Sequence, residues 1–244
     1  FPFFDKKEKI VVEKEIDFLV GKNFIITTHY QEIEPFNNFS NIFSDNSILD
    51  SNKIGDNPGF MLFYILKNLY KTLDNELDGI GVNLEKIESD IFDSKERDAV
   101  NSISYVNRKV IRFKKALSFH GDIIRSVEPI GADMFGSGFS FNMSMILSEY
   151  NKVNSTVAWY KEILNDMRDT NDTLLTTKTN ETIKTLTIMT FIMLPITLIT
   201  GVFGMNVVEE LTLIQSVEDL FIVIGAMVLT GLTMFAYFKS KKWL

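Results

Sequence analysis

Cysteine is absent from the 244 residues, which excludes disulfides and thiolate metal sites and leaves the redox compartment unread. Histidine is almost absent. His29 and His120 are the whole complement, too few and too far apart for an imidazole metal centre or for the common nucleophile–base pairs. Positive charge is in deficit: 25 Lys and Arg against 32 Asp and Glu leave a net charge of −7, which argues against nucleic acid as a partner. No phosphate-cradling loop occurs, because FGSGFSF lacks the Lys-Ser/Thr of a P-loop. Enzyme classes built on these groups are therefore disfavoured, and no resident cofactor is implied. The opening FPFFDKKEK is no secretory leader, since its apolar run is short and charge follows at once. The chain starts at Phe1 rather than Met, so its natural start is expected upstream.

What is there is unevenly placed. Residues 1 to 184 read as charged and water-facing. From Thr185 to Val208 no charge occurs, and such a run of about 24 residues crosses a hydrocarbon core of about 30 Å as a helix. A second apolar run, LFIVIGAMVLTGLTMFAYF from Leu220 to Phe238, is also long enough. Two such runs, adjacent and at the end of the chain, read as a pair of membrane spans. Lys178 and Lys184 precede the first, and Lys239, Lys241 and Lys242 follow the second. The loop between them has Glu209, Glu210, Glu218 and Asp219 and no basic residue. The positive-inside rule then puts both termini in the cytoplasm and the loop outside, with Tyr237 and Trp243 as interfacial anchors.

The first span carries an unusual face. Steps of three and four from Asn180 reach Ile183, Thr187, Thr190, Leu194, Thr197, Gly201 and Gly204. Most of these are small or hydroxyl-bearing, whereas Leu186, Ile188, Phe191, Ile192, Leu198, Ile199 and Phe203 fill the other faces. Two explanations compete. Small and hydroxyl residues line helix–helix contacts in membranes, where Thr bonds to its own i−4 carbonyl. Alternatively, the face lines a water-filled path. Pro195 decides nothing, because membrane helices tolerate kinks.

Ahead of the spans, IVVEKEIDFLVGKNFIITTHYQEI predicts two strands, as a hairpin around Gly21-Lys22. Pro35 to Pro58 reads as loop with a short helix. Helical spacing of Leu62, Ile65, Leu66, Leu69, Leu73, Leu77, Ile80, Leu84 and Ile87 predicts a helix from Gly59 to about Phe92, weakened at Gly79 and Gly81. A second helix is predicted from Ser94 to Val127. EPIGADMFGSGFSFN breaks the pattern, and a helical pattern resumes near Phe141. If unbroken to Gly204 it spans about 64 residues, or about 95 Å. Asp74, Asp78, Glu85 and Glu88 read as a solvent face.

Gly204-Met205-Asn206, directly after the first of two C-terminal spans, resembles the signature of the CorA family of magnesium channels. NETIKTLTIMTFIMLPITLITGVFGMN is similar to that family's pore helix, YFKSKKWL to its basic tail, and FLVGKNFIITTH to the last strands of its cytosolic domain. The likeness is strongest from Asp169 to Leu244 and looser from Gly59 onward. One departure is that many members follow the signature with an aromatic and a Met-Pro-Glu loop, where this chain has Val207, Val208, Glu209 and Glu210.

The resemblance implies an α-helical membrane protein with an α+β cytosolic domain and a stalk helix continuing into a pore helix. On this reading residues 1–58 are the remnant of a truncated β-containing domain and 59–140 the cytosolic helices. The stalk is 141–184, the pore helix 185–206, the outer loop 207–219, the second span 220–238 and the cytoplasmic tail 239–244. It implies a homopentamer in the plasma or inner membrane, conducting hydrated Mg2+ passively. Gly204, Met205 and Asn206 would form the selectivity filter. Asn180, Ile183, Thr187, Thr190, Leu194, Thr197 and Gly201 would line the pore, Ile183, Leu186 and Leu194 would gate it, and Glu209 and Glu210 would gather cations at the mouth. It also implies regulatory Mg2+ held by stalk carboxylates, here Asp169 and Asp172, whose residue-level alternative is two solvated surface charges. Co2+, Ni2+ or Zn2+ transport is the alternative activity, and a membrane-anchored scaffold the alternative class.

Overall fold

The computed structural model describes residues 1–5, 10–30, 33, 36, 57–204, 217–241 and 243. The chain divides into two compact units, Phe1–Asp172 and Thr173–Leu244.

The first unit opens on two small antiparallel sheets. Strand β1 (Pro2–Asp5) pairs with β2 (Ile10–Glu13), Pro2 opposite Glu13. Strand β3 (Asp17–Val20) pairs with β4 (Ile25–Thr28), Asp17 opposite Thr28. The β3–β4 hairpin is the one expected around Gly21-Lys22, and the Gly21 amide closes its turn on the Phe24 carbonyl at 2.9 Å. Strand β1 goes beyond the sequence reading. Its four residues are too few to display a period, and its pairing with β2 supplies what local pattern cannot. Pro2 and Phe3 of β1 and Val11 of β2 are buried. Arg112 donates to the Val11 carbonyl at 2.9 Å, fixing β2 on the helices. The buried Lys109 places its ammonium 4.3 Å from the Phe4 ring and 4.4 Å from the Tyr105 ring, where ring quadrupoles replace part of its hydration.

Helix α1 runs from Pro58 to Phe92. Asn57 caps it by accepting from the Phe60 amide at 2.9 Å, and Pro58 sits where its missing N–H does no harm. Gly79 and Gly81 do not break it. Gly81 lies beneath the Tyr160 hydroxyl, 2.7 Å from where a Cβ would stand. Helix α2 (Glu96–Leu117) and helix α3 (His120–Phe135) replace the single helix expected from Ser94 to Val127. Helix α4 runs unbroken for 67 residues from Ser137 to Phe203. The break expected over residues 128–142 narrows to Gly136, at φ 88°. Pro129 lies inside α3, on an exposed face where the carbonyl it leaves unbonded can meet water. Gly131, inside the expected break, and Gly121 admit the rings of Phe139 and Tyr150 against α3.

Buried side chains on α2 (Ala99, Ile103, Val106, Val110, Phe113, Leu117) and early α4 (Phe139, Met143, Ile146, Tyr150, Val153, Val157) alternate steps of three and four. That is the spacing of a coiled-coil seam. Each fully buried Leu, Ile or Phe contributes roughly 1.5–3 kcal/mol. His120 Nδ1 lies 2.9 Å from the Tyr70 hydroxyl. Burial lowers the imidazole well below its ordinary value and raises the Tyr70 phenol. The imidazole is therefore neutral near pH 7, and its tautomer sets which of the two groups donates. His29 stacks on Phe36 at 5.4 Å. Both histidines thus serve packing.

The second unit holds the end of α4 and helix α5 (Val217–Ser240). Each has an apolar stretch long enough to cross a membrane, and only 6% and 11% of the residues in those stretches are buried. Core helices of water-soluble proteins bury such stretches, so these apolar surfaces call for lipid or protein around them.

Candidate functional site: the uncovered face of the first span

Helix α5 covers one side of α4. Ile188 is buried there, Ile192, Pro195, Ile196 and Ile199 are half-buried, and the Phe191 and Phe238 rings stand 6.3 Å apart. A methyl at Gly231 would lie 3.6 Å from Ile196 Cδ1, so the helices come close. At about 100° per residue, the stripe from Asn180 to Gly204 points nearly the opposite way. Asn180, Ile183, Thr190, Leu194, Thr197, Gly201 and Gly204 are exposed and Thr187 is half-buried. Leu186 is exposed beside the stripe. The face singled out by sequence is therefore the face that this chain leaves open.

The hydroxyls on that face are oriented. Thr187 donates to the Ile183 carbonyl at 2.8 Å, Thr190 to Leu186 at 2.9 Å and Thr197 to Met193 at 2.9 Å. Each proton is used inside the helix, so each oxygen turns its lone pairs outward. The face offers acceptors rather than donors. Acceptors suit the outward-pointing hydrogens of water around a cation.

Helix α4 stops at Phe203, and Gly204 closes the last turn with its amide on the Thr200 carbonyl at 2.9 Å. A Cβ on Gly204 would lie 2.9 Å from that same oxygen, and one on Gly201, inside the helix, would meet no described atom within 4 Å apart from its own helix backbone. The glycine of the signature thus has a steric reason. Gly204→Ala is expected to cost about 1–3 kcal/mol as the turn shifts, and Gly201→Ala much less. Thermal unfolding of both variants in detergent checks this, and equal midpoints would show that the turn yields freely. Met205, Asn206, Glu209 and Glu210 lie outside the described residues.

Asp169 and Asp172 are exposed on α4 within the first unit. Between them, Asn171 is only 1% exposed, and its side-chain oxygen finds no hydrogen-bond partner. Sequence reading missed it. The signal was its spacing, since Tyr160, Leu164, Met167 and Asn171 continue the apolar seam into a polar side chain. Asp74 pairs with Lys152 at 2.5 Å, while Glu85, Glu88 and Asp166 share a groove with Trp159 and Tyr160. Among the described residues no three His, Cys, Asp or Glu side chains come together to hold a metal ion.

Comparison with known proteins now bears on this arrangement. Residues 1–241 match the family described as CorA-like Mg2+ transporter protein. The chain belongs to this family. A CorA-family relative called cobalt/magnesium transport protein CorA, from Thermotoga maritima, is 25% identical over 191 residues, covering 72% of this chain and 52% of its own length. A protein of the same description from Methanocaldococcus jannaschii is 21% identical over 239 residues, covering 97% of this chain and 74% of its own. This CorA-family chain thus spans about half to three quarters of the length of these relatives. The complete structure of the CorA magnesium transporter from M. jannaschii superposes with a TM-score of 0.86 at 20% identity, over 100% of this chain and 75% of that one. The full-length CmaX protein gives 0.61 at 14% identity, over 93% and 68%. The fold is therefore that of the family: mostly helical, with one long helix, a C-terminal apolar helix and a small N-terminal β-containing region.

Proposed function

We propose that several copies of this chain, five by the family resemblance, enclose a passive pore for hydrated divalent cations, with Mg2+ as the principal ion. The observation that supports this most is the open stripe of α4, whose threonine oxygens point outward on the side that α5 leaves uncovered. One helix encloses nothing, so a stripe of this kind needs copies of itself. Mg2+ releases its water shell reluctantly and prefers oxygen ligands. Rings of hydroxyl and amide oxygens then contact its waters and bind weakly enough to let it leave. Asn206 supplies the outer amide ring, and Glu209 and Glu210 raise the local cation concentration at the mouth. Ile183, Leu186 and Leu194 supply apolar constrictions that close by dewetting. With both termini cytoplasmic, a divalent ion moving inward down 100 mV gains about 4.6 kcal/mol, so no ATP is needed. The relatives are named for cobalt as well as magnesium, and the same oxygen rings serve Co2+, Ni2+ or Zn2+ as the alternative cargo. Flux into proteoliposomes with a panel of divalents tests the proposal. It fails if no divalent enters faster than into empty liposomes.

Closing by cytosolic Mg2+ is assigned to Asp169 and Asp172, with further oxygens from a neighbouring chain. Clustered carboxylates repel without the ion, and an ion preferring the closed arrangement biases the equilibrium by that preference alone. Asp169→Asn with Asp172→Asn is expected to weaken Mg2+ inhibition severalfold and to remove Mg2+-dependent protection from protease, with conduction intact. Unchanged inhibition and unchanged cleavage would leave both as solvated surface charges.

A further inference from the structure

Helices α4 and α5 enclose a second cavity, of about 490 Å³, at the lysine-bearing end of the span pair. Ile188, Met189, Ile192 and Phe235 form its apolar wall, and Lys184, Glu181 and Trp243 rim it. The two helices run antiparallel through the proposed membrane, yet their facing stripes change character at the same end. On α4, stepping back by four from Ile192 and Ile188 reaches Lys184. On α5, stepping forward by four from Phe235 reaches Lys239, which is exposed. Beyond it the chain turns back, with the Lys241 amide on the Tyr237 carbonyl at 3.1 Å and the Trp243 amide on the Phe238 carbonyl at 3.0 Å. That turn sets the Trp243 ring 6.0 Å from Phe238. An apolar slot ending in lysines and an indole has the chemistry of a phospholipid seat. Its volume is in the ordinary range for bound small molecules, about 300–1,000 Å³.

We propose that this cavity binds an anionic phospholipid. One acyl chain lies along Ile188, Ile192 and Phe235, and the phosphate sits between Lys184 and Lys239, beneath Trp243. Lys184 on the rim, with Lys239 and Lys241 exposed at the adjoining end of α5, outnumbers the one carboxylate of the lining, Glu181, so this end of the helix pair favours an anionic headgroup over a zwitterionic one. The proposal rests on the membrane-spanning reading but not on ion conduction. It concerns the side of α4 that α5 covers, not the open stripe.

The chain has two tryptophans, so Trp159→Phe leaves Trp243 as the single reporter. That variant, purified as the full chain and reconstituted in phosphatidylcholine vesicles, is titrated with brominated phosphatidylglycerol, phosphatidylethanolamine or phosphatidylcholine. Bromine quenches indole fluorescence only at close range. The expected result is quenching by brominated phosphatidylglycerol at mole fractions severalfold below those needed for phosphatidylcholine. Adding Lys184→Gln and Lys239→Gln should equalise the lipids, and Lys184→Arg with Lys239→Arg should restore the preference. Equal quenching by phosphatidylglycerol and phosphatidylcholine in the parent would overturn the proposal. So would a preference that survives the glutamine pair. Strongest quenching by phosphatidylethanolamine would reassign the site to an amine-bearing head paired with Glu181, and overturn the anionic assignment. No quenching by any lipid would place Trp243 outside the bilayer and refute the membrane reading with it. Divalent flux measured on the same vesicles shows separately whether conduction fails.

Discussion

Asn206→Ala is expected to lower divalent uptake into proteoliposomes at least tenfold while leaving the assembled oligomer intact. A tenfold loss corresponds to about 1.4 kcal/mol in the transport barrier. The argument starts from the ion. Water around Mg2+ is held tightly, so a filter works by accepting hydrogen bonds from that water rather than by stripping it. A primary amide presents a carbonyl oxygen able to accept two such bonds. On the proposed assembly Asn206, two positions in sequence after the Gly204 whose amide closes on Thr200, would give a ring of neutral acceptors. Alanine removes the whole ring at once, because every copy carries the change. The substitution leaves Ile188 and Phe238, buried side chains of α4 and α5, unchanged, so assembly should survive. Asn206→Asp separates geometry from charge. It keeps the acceptors and adds negative charge, so it should bind the ion too well and slow its exit. Near-normal flux through a properly assembled Asn206→Ala protein would remove the filter assignment and leave the signature with a structural role only.

Much of this molecule is legible in its sequence because its elements are long. A helix such as α1 or α4 repeats its apolar spacing often enough to declare itself, and two charge-free runs declare the spans. Short elements fare worse. Strand β1 has four residues, so no alternation can be counted, and only its partner β2 makes it a strand. Pro129 and Gly131 carry strong local signals for a break, yet the helix continues through both. What wins there is tertiary context: the face of α3 around Pro129 is open to water, and the missing Cβ of Gly131 makes room for Phe139. The opposite error occurs at residues 118 and 119, where nothing in the spacing of Leu117 and His120 announces the interruption. At the site, periodicity gave the stripe but not its meaning. Packing and a water path both ask for small and hydroxyl residues. The position of α5 excludes only packing against α5 itself, since it packs on isoleucines and leaves the threonines open.

That distinction can be read out chemically. Cysteine at Thr187, Thr190 or Thr197 is expected to react with small, charged, water-soluble thiol reagents at least tenfold faster than cysteine at Ile188, Phe191 or Leu198, and to block flux when it does. The three threonines share the open face, and a thiol lining water ionises with a pKa near 8.5, giving the reactive thiolate. Ile188 is buried against α5 and admits no reagent. Phe191 and Leu198 are exposed in the single chain, at 55% and 64%, so exposure alone does not separate them from the threonines. Their medium does. Phe191 lies about 100° round α4 from Thr190 and Leu198 about 100° from Thr197, on flanks that the proposed assembly would turn to lipid, where a thiol stays protonated and a charged reagent does not partition. The natural chain offers no competing cysteine, so each introduced thiol is read without background. Thr→Cys also loses the bond to the i−4 carbonyl, a loss confined to the helix surface, and flux before labelling measures its effect. Similar rates at both sets of positions would mean that the threonine face is not the wet one. The stripe would then be a packing surface between helices, and the route of the ion would have to lie elsewhere.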